Sequence, residues 1–165
     1  MEKNDLSRAR PRTFNTPFES GIRSVIILTA CYPSRLALDR LVVLDHLVVH
    51  SGDFDGPSSL HPAEDSRVAE ILVRRRLVDS GLALMGTRNL VKRSATNEGF
   101  RFEAGEEAGA FVDLLRTWYL VELKVRAQWL SAQIMPLSDD GISQLVRDRI
   151  DDWSTDFVSN AQSNG

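Results

Sequence analysis

Apolar positions recur at helical spacing along most of this chain and alternate, as in a half-buried strand, in one short stretch. The first helical block opens on Thr16-Pro17-Phe18-Glu19, a capping box with proline at the first helical position. The threonine hydroxyl can accept from the Glu19 N–H while the Glu19 carboxylate reaches back. Ile22, Val25 and Ile26 carry the apolar face to Thr29-Ala30. Tyr32-Pro33 ends the helix, because the residue before proline is pushed out of the helical region. A second helix is expected from Leu38 to His50. Leu41–Leu44 and Leu47–Val49 make it apolar on more than one side, which suggests a central, buried helix.

The stretch from Arg67 to Ala104 reads as helix, short break, helix and hairpin. Val68, Ile71, Leu72, Val78, Leu82 and Met85 fall on one helical face, and Ser80-Gly81 is the expected turn or kink. Leu90–Ser94 reads as a strand, Ala95–Gly99 as a turn in which Gly99 is free to take a positive φ, and Phe100–Ala104 as the second strand. Two helices followed by a hairpin make a winged-helix-like unit. The predicted fold class is therefore mainly α (α+β): a winged-helix-like domain with a two-stranded wing, packed by flanking helices.

Beyond the wing, Glu106-Glu107 stands at a helix start, where negative charge suits the helix dipole. Ala108, Phe111, Val112 and Leu115 form a stripe, and a break near Arg116-Thr117 leads into Trp118–Leu130. The aromatics of this block are expected as core or protein-interface anchors. Pro136 ends that helix, and Asp139–Trp153 is expected as one more. Residues 1–13 and 154–165 are expected as flexible tails around one domain spanning 14–153.

Charge changes the picture locally. The 165 residues carry a formal net charge of -3, which excludes a globally basic nucleic-acid binder. Yet Arg67, Arg74, Arg75, Arg76, Arg88, Lys92, Arg93 and Arg101 against Glu70, Asp79 and Glu98 give the wing unit a balance of +5. These cations cluster where a winged helix meets a phosphate backbone. Arg74, Arg76, Arg88, Lys92, Arg93 and Arg101 are thus candidate contacts to DNA or to an acidic partner, and Arg75 is the arginine expected to turn inward. The segment after Pro136 has a balance of -4 and suits a basic surface. Cys31 is the only cysteine, so no intrachain disulfide can form. The N-terminus is polar and the apolar runs are short, so a cytoplasmic protein is expected.

Candidate chemistry is sparse. Asp45 sits inside the apolar second helix, and pairing with Arg40 or another arginine is its expected role. The stretch 51–65 reads as a long loop, and such loops are often functional or docked against a partner. His50, Asp53, Phe54, Asp55, Leu60 and His61 are candidate partner-docking residues there. Their spacing matches no zinc pattern, and Ser51 with His50 or His61 makes no hydrolytic dyad that the sequence can orient. Asp53 is expected to bond loop backbone N–H groups. No catalytic, cofactor-binding or metal constellation can be assembled, so the chain reads as no enzyme and needs no cofactor.

The stretch RLVVLDHLVVHSGDFDGPSSLHP, from Arg40 to Pro62, resembles the middle component of bacterial ABC-three-component systems. So do FNTPFESGIR from Phe14 and LVRRRLVDSGLALM from Leu72, and the resemblance runs roughly from Phe14 to Leu130. It is specific in combination and is not an active-site signature. The resemblance implies a defence module against phage or plasmid DNA, similar in organisation to Lamassu systems. There a non-enzymatic adaptor would join an SMC/Rad50-like ABC ATPase to an effector, with double-stranded DNA met through the complex. A stand-alone winged-helix DNA-binding regulator is the alternative.

Overall fold

The computed structural model describes residues 16–62 and 67–148, with the side chains of all of them except 67–72. Helix α1 (Pro17–Ala30) begins on the capping box: Thr16 Oγ1 accepts from the Glu19 N–H and the Glu19 carboxylate from the Thr16 N–H, both at 3.3 Å. It is followed by α2 (Leu38–Val49), a short 3-10 helix (Ser51–Phe54) and α3 (Arg67–Gly86). The hairpin β1 (Val91–Thr96) and β2 (Gly99–Ala104) comes next. Helices α4 (Ala108–Leu114) and α5 (Trp118–Trp129) complete the core, α5 running on into a π-helical turn at Leu130–Ile134. Residues 139–148 are helical. The expected end of that last helix at Trp153, and both expected tails, lie outside the described residues. The architecture is mainly helical with one two-stranded antiparallel hairpin, compatible with a winged-helix-like unit.

The hub is α1, against which α3, α5, α4, α2 and β2 all pack. Val25–Leu28 and α2's Leu41, Leu44, Leu47, Val48 and Val49 form the centre of the core. Met85, Leu90, Val91 and Phe102 tie the wing to it.

The expected break at Ser80-Gly81 is absent, and α3 runs through it as one helix. Gly81 serves a helix crossing rather than a turn. A Cβ there would lie 2.6 Å from the Gly21 backbone nitrogen and 2.8 Å from the Pro17 carbonyl oxygen. On the other side, a Cβ on Gly21 would meet Met85 Cε at 2.8 Å. Two glycines thus let α1 and α3 approach closely, at the cost of weaker helix propensity within α3.

The hairpin register is Val91↔Ala104 through Thr96↔Gly99. The loop shortens to Asn97-Glu98, and Gly99 takes the positive φ, 107°. Paired residues share a face, so Lys92, Glu103, Ser94 and Arg101 lie on one face, with Lys92 exposed and the other three half-buried, while Val91 and Phe102 on the opposite face enter the core. A single bridge from Leu36 to Phe102 adds to the far edge of β2.

Candidate functional site: a buried arginine pair, a tied loop and two outer faces

Helix α2 is buried on several sides, so its one acidic residue in mid-helix is carried into the core. Asp45 is 0 % exposed. Arg23 of α1 donates from Nε to Asp45 Oδ1 at 2.9 Å and from Nη2 to Oδ2 at 3.3 Å. Arg74 of α3 donates from Nη1 to Oδ2 at 2.5 Å. Burial alone would raise the Asp45 carboxyl, but the two guanidinium groups outweigh it and hold it below the usual carboxylate range.

Asp45 thus pairs with arginines as expected, but Arg40 is not one of them. Arg40 donates to the carbonyls of Met135 at 3.2 Å and Leu137 at 3.0 Å and pairs with Asp139, fastening the chain beyond α5. Arg74, expected on the outer basic face, is only 8 % exposed and belongs to the core, whereas Arg75 is on the surface and pairs with Asp39. Arg74 continues the buried stripe of Val78, Gly81, Leu82 and Met85 by one turn. That stripe was the signal for it.

The loop after α2 is tied down rather than open. Leu60 N–H and His61 N–H both donate to Val49 O, at 2.9 and 3.0 Å. Ser51 Oγ donates to Pro57 O at 2.8 Å, not to a histidine. The Gly52 N–H donates to Ser59 Oγ at 3.1 Å. Arg126 of α5 clamps Ser58 O from Nε at 2.9 Å and Nη2 at 2.6 Å. Ser51, Ser59 and Arg126 are thus among the side chains that tie the loop, where Asp53 was expected. Trp129 lies flat against Gly56, whose Cβ would stand 2.5 Å from Trp129 Cε2. Of the candidate docking residues, His50 and Phe54 turn into the core, Asp53, Leu60 and His61 are half-buried, and Asp55 is exposed at a left-handed φ of 60°. Among the described residues, no three His, Cys, Asp or Glu side chains converge as metal ligands would.

His61 Nε2 lies 2.9 Å from Tyr119 Oη, which joins the loop to the start of α5. Burial first, then the positive charge of Arg23, His50 and Arg74, pushes the His61 pKa down to about 4, with Asp45 opposing. The unfolded chain binds this proton near pH 6.5, and the folded chain refuses it until about pH 4. Stability is expected to be full above pH 6.5, to fall between 6.5 and about 4, and to level off below. The loss is about 2 kcal/mol once solvent screening at a half-buried ring is allowed for. Urea melts across that window, with His61→Asn as comparison, measure it. An unchanged slope in the variant would assign the loss to other groups.

The outer basic face is mostly neutralised by its own neighbours. Glu103 meets Arg35 at 3.3 Å and Lys92 at 3.7 Å, and Arg101 meets Glu98 at 2.8 Å. Arg93 stacks its guanidinium over Phe100, 4.3 Å from the ring centre. Arg76 and Arg88 are exposed and in no ion pair among the described residues. The wing therefore keeps its cations but offers less free charge than the composition suggested. The acidic C-terminal segment sends Asp139 to Arg40 and not to this face.

Helix α5 presents a second outer face. Leu123, Ala127 and Leu130 point inward, while Trp118, Val121 and Val125 stand exposed, Trp118 at 73 %. Gln128 and Ala132 extend that line at alternating steps of three and four residues. This is the spacing of a seam that another helix can cover. Of the two roles expected for the aromatics of this block, core or interface anchor, Trp118 stands on the exposed face while Tyr119 and Trp129 are half-buried. Elsewhere, burial pushes the Cys31 thiol up to about 11, which makes it a packing residue and not a nucleophile. No described helix is long and apolar enough to cross a membrane.

No curated protein and no solved structure matches the chain. The family model for the ABC-three component (ABC-3C) system Middle Component 2 matches residues 13–156, an extent that includes the buried arginine pair, the tied loop, the wing and both outer faces. The chain belongs to the ABC-3C system Middle Component 2 family.

Proposed function

We propose that this protein is a non-enzymatic adaptor in a cytoplasmic defence complex against phage or plasmid DNA, of the Lamassu-like kind. It joins an SMC/Rad50-like ABC ATPase to an effector, and residues 14–153 are its functional unit. The observation that carries the reading is the family match over residues 13–156. The surface supports it: Trp118, Val121 and Val125 stand exposed along one face of α5. The α5 seam of Trp118, Val121 and Val125 is the proposed face for the ATPase, with Asp53, Asp55, Leu60 and His61 as a neighbouring docking loop. An adaptor needs such surfaces, and burying aromatic and branched side chains is what gives interfaces most of their energy.

DNA enters this reading as a phosphate contact made within the assembly. Arg76, Lys92, Arg93 and Arg101 could supply it, since surface ion pairs of the Lys92–Glu103 type are weak enough to exchange. Such binding would be nearly sequence-independent and steeply salt-dependent.

Co-purification with the ATPase of the same system tests the proposal. Trp118→Glu with Val121→Glu is expected to abolish the complex while leaving the helical spectrum unchanged. Retention of the complex would move the ATPase off α5. In the reconstituted assembly, glutamate at Arg76, Lys92 and Arg93 is expected to weaken duplex binding and flatten its salt dependence, with Arg74 left intact because it is core. A chain that binds duplex tightly alone and never captures the ATPase would instead be a DNA-binding regulator.

A further inference from the structure

A groove of about 580 Å³ lies between the first turn of α1, the C-terminal end of α3 and helix α4. It is separate from the wing's outward face and from the α5 seam. Phe18, Leu84, Phe111 and Leu114 line it, together with Arg88 and Glu107. The apolar side chains do not fill it. Phe18 is 58 % exposed and Leu114 is 75 % exposed, so both stand up at its edge as knobs beside a hole. Exposed apolar surface of this kind is a mark of an interaction site.

The charges at the groove indicate what covers it. Arg88 and Glu107 are both exposed, and among the described residues neither is in an ion pair, either with the other or elsewhere. A single cation and a single anion beside an apolar floor form a self-complementary set. A twofold axis brings a surface against itself, so each charge finds its opposite only if both signs are present on that surface. A different protein imposes no such balance and could be met by a rim of one sign. Knob and hole are likewise both present on the same patch, as an isologous contact requires.

We propose that this groove is the contact between two copies of the chain. Leu114 and Phe18 of each copy enter the groove of the other, and Arg88 of each meets Glu107 of the other. This assigns Arg88 to the dimer rather than to phosphate. It holds or fails independently of any ATPase or DNA.

Sedimentation velocity of the full chain, at low to high micromolar concentration, tests the proposal. The wild type is expected to sediment as a dimer. Leu114→Glu is expected to give a monomer with an unchanged helical spectrum, because the side chain is largely in solvent. Arg88→Glu and Glu107→Arg are each expected to weaken association about tenfold, through like charges placed face to face. The double variant Arg88→Glu/Glu107→Arg restores both pairs with their signs exchanged and should return to wild-type association. A wild type that stays monomeric throughout would overturn the proposal. So would a dimer that survives both Leu114→Glu and Phe18→Ser, or a double variant no tighter than either single. If Leu114→Glu leaves a monomer unchanged but loses the ATPase, the groove belongs to that partner and the twofold contact is wrong.

Discussion

Replacing Asp45 with alanine is expected to destabilise the protein by about 3–5 kcal/mol. The change removes the carboxylate that Arg23 and Arg74 share and leaves two guanidinium groups in the core without it. For a chain of this length the fall in Tm is about 10 °C. Asp45→Asn should cost nearly as much, since an amide accepts from both arginines but no longer neutralises them. Replacing all three together, as Arg23→Met, Asp45→Leu and Arg74→Met, should recover most of the loss, because buried ion clusters contribute little over well-packed apolar side chains. Thermal melts of the single and triple variants separate the two effects. If the triple is as unstable as Asp45→Ala, the cluster contributes hydrogen-bond order that packing cannot replace. Acid acts on the same site with a fixed sign. The Asp45 carboxyl is held below its ordinary value of 3.8, so its contribution is present above that pH and is lost as pH falls through the depressed value.

Gly81→Ala is expected to destabilise by about 2–3 kcal/mol, although alanine is the better helix former by about 1 kcal/mol. The added methyl would meet backbone atoms of α1, which cannot rotate away as the end of a side chain can. Relief requires α1 and α3 to move apart, and α1 is the helix against which the rest of the core packs. Gly109→Ala is the control. It lies in α4 with nothing within 4 Å of its would-be Cβ. There the same substitution should stabilise by about 0.5–1 kcal/mol. Opposite signs at the two glycines, read as urea midpoints, would establish close approach as the role of Gly81. Equal effects would return Gly81 to the part of a helix weak point.

These two positions also mark where sequence reasoning reached its limit. The capping box at Thr16, the span of α2, the hairpin and the positive φ of Gly99 rest on contacts between residues close in the chain. Local sterics and hydrogen bonding decide such features, so composition and spacing display them directly. The same holds for the separation of α4 from α5 at Arg116-Thr117. The candidate site was less legible. Asp45 needed an arginine, and the sequence offered Arg40 or another without choosing between them. A helical stripe is about 100° wide and admits more than one position per turn. Whether Arg74 or Arg75 points inward depends on the rotation of α3 about its axis, which its packing against α1 sets.

The sequence alone therefore specified the order of helices, the wing and its turn, and the need of a buried carboxylate for a cation, because each follows from period, cap or desolvation within one segment. Tertiary structure alone decided that Gly81 is a crossing and not a break, that Arg23 and Arg74 rather than Arg40 meet Asp45, and that His50 and Phe54 face inward. Among the described residues it alone left the α5 seam and the α1–α4 groove exposed. All of these depend on how far apart two helices come to rest and how each is turned. That is settled by which side chains and glycines meet across the interface, and no single segment carries that information.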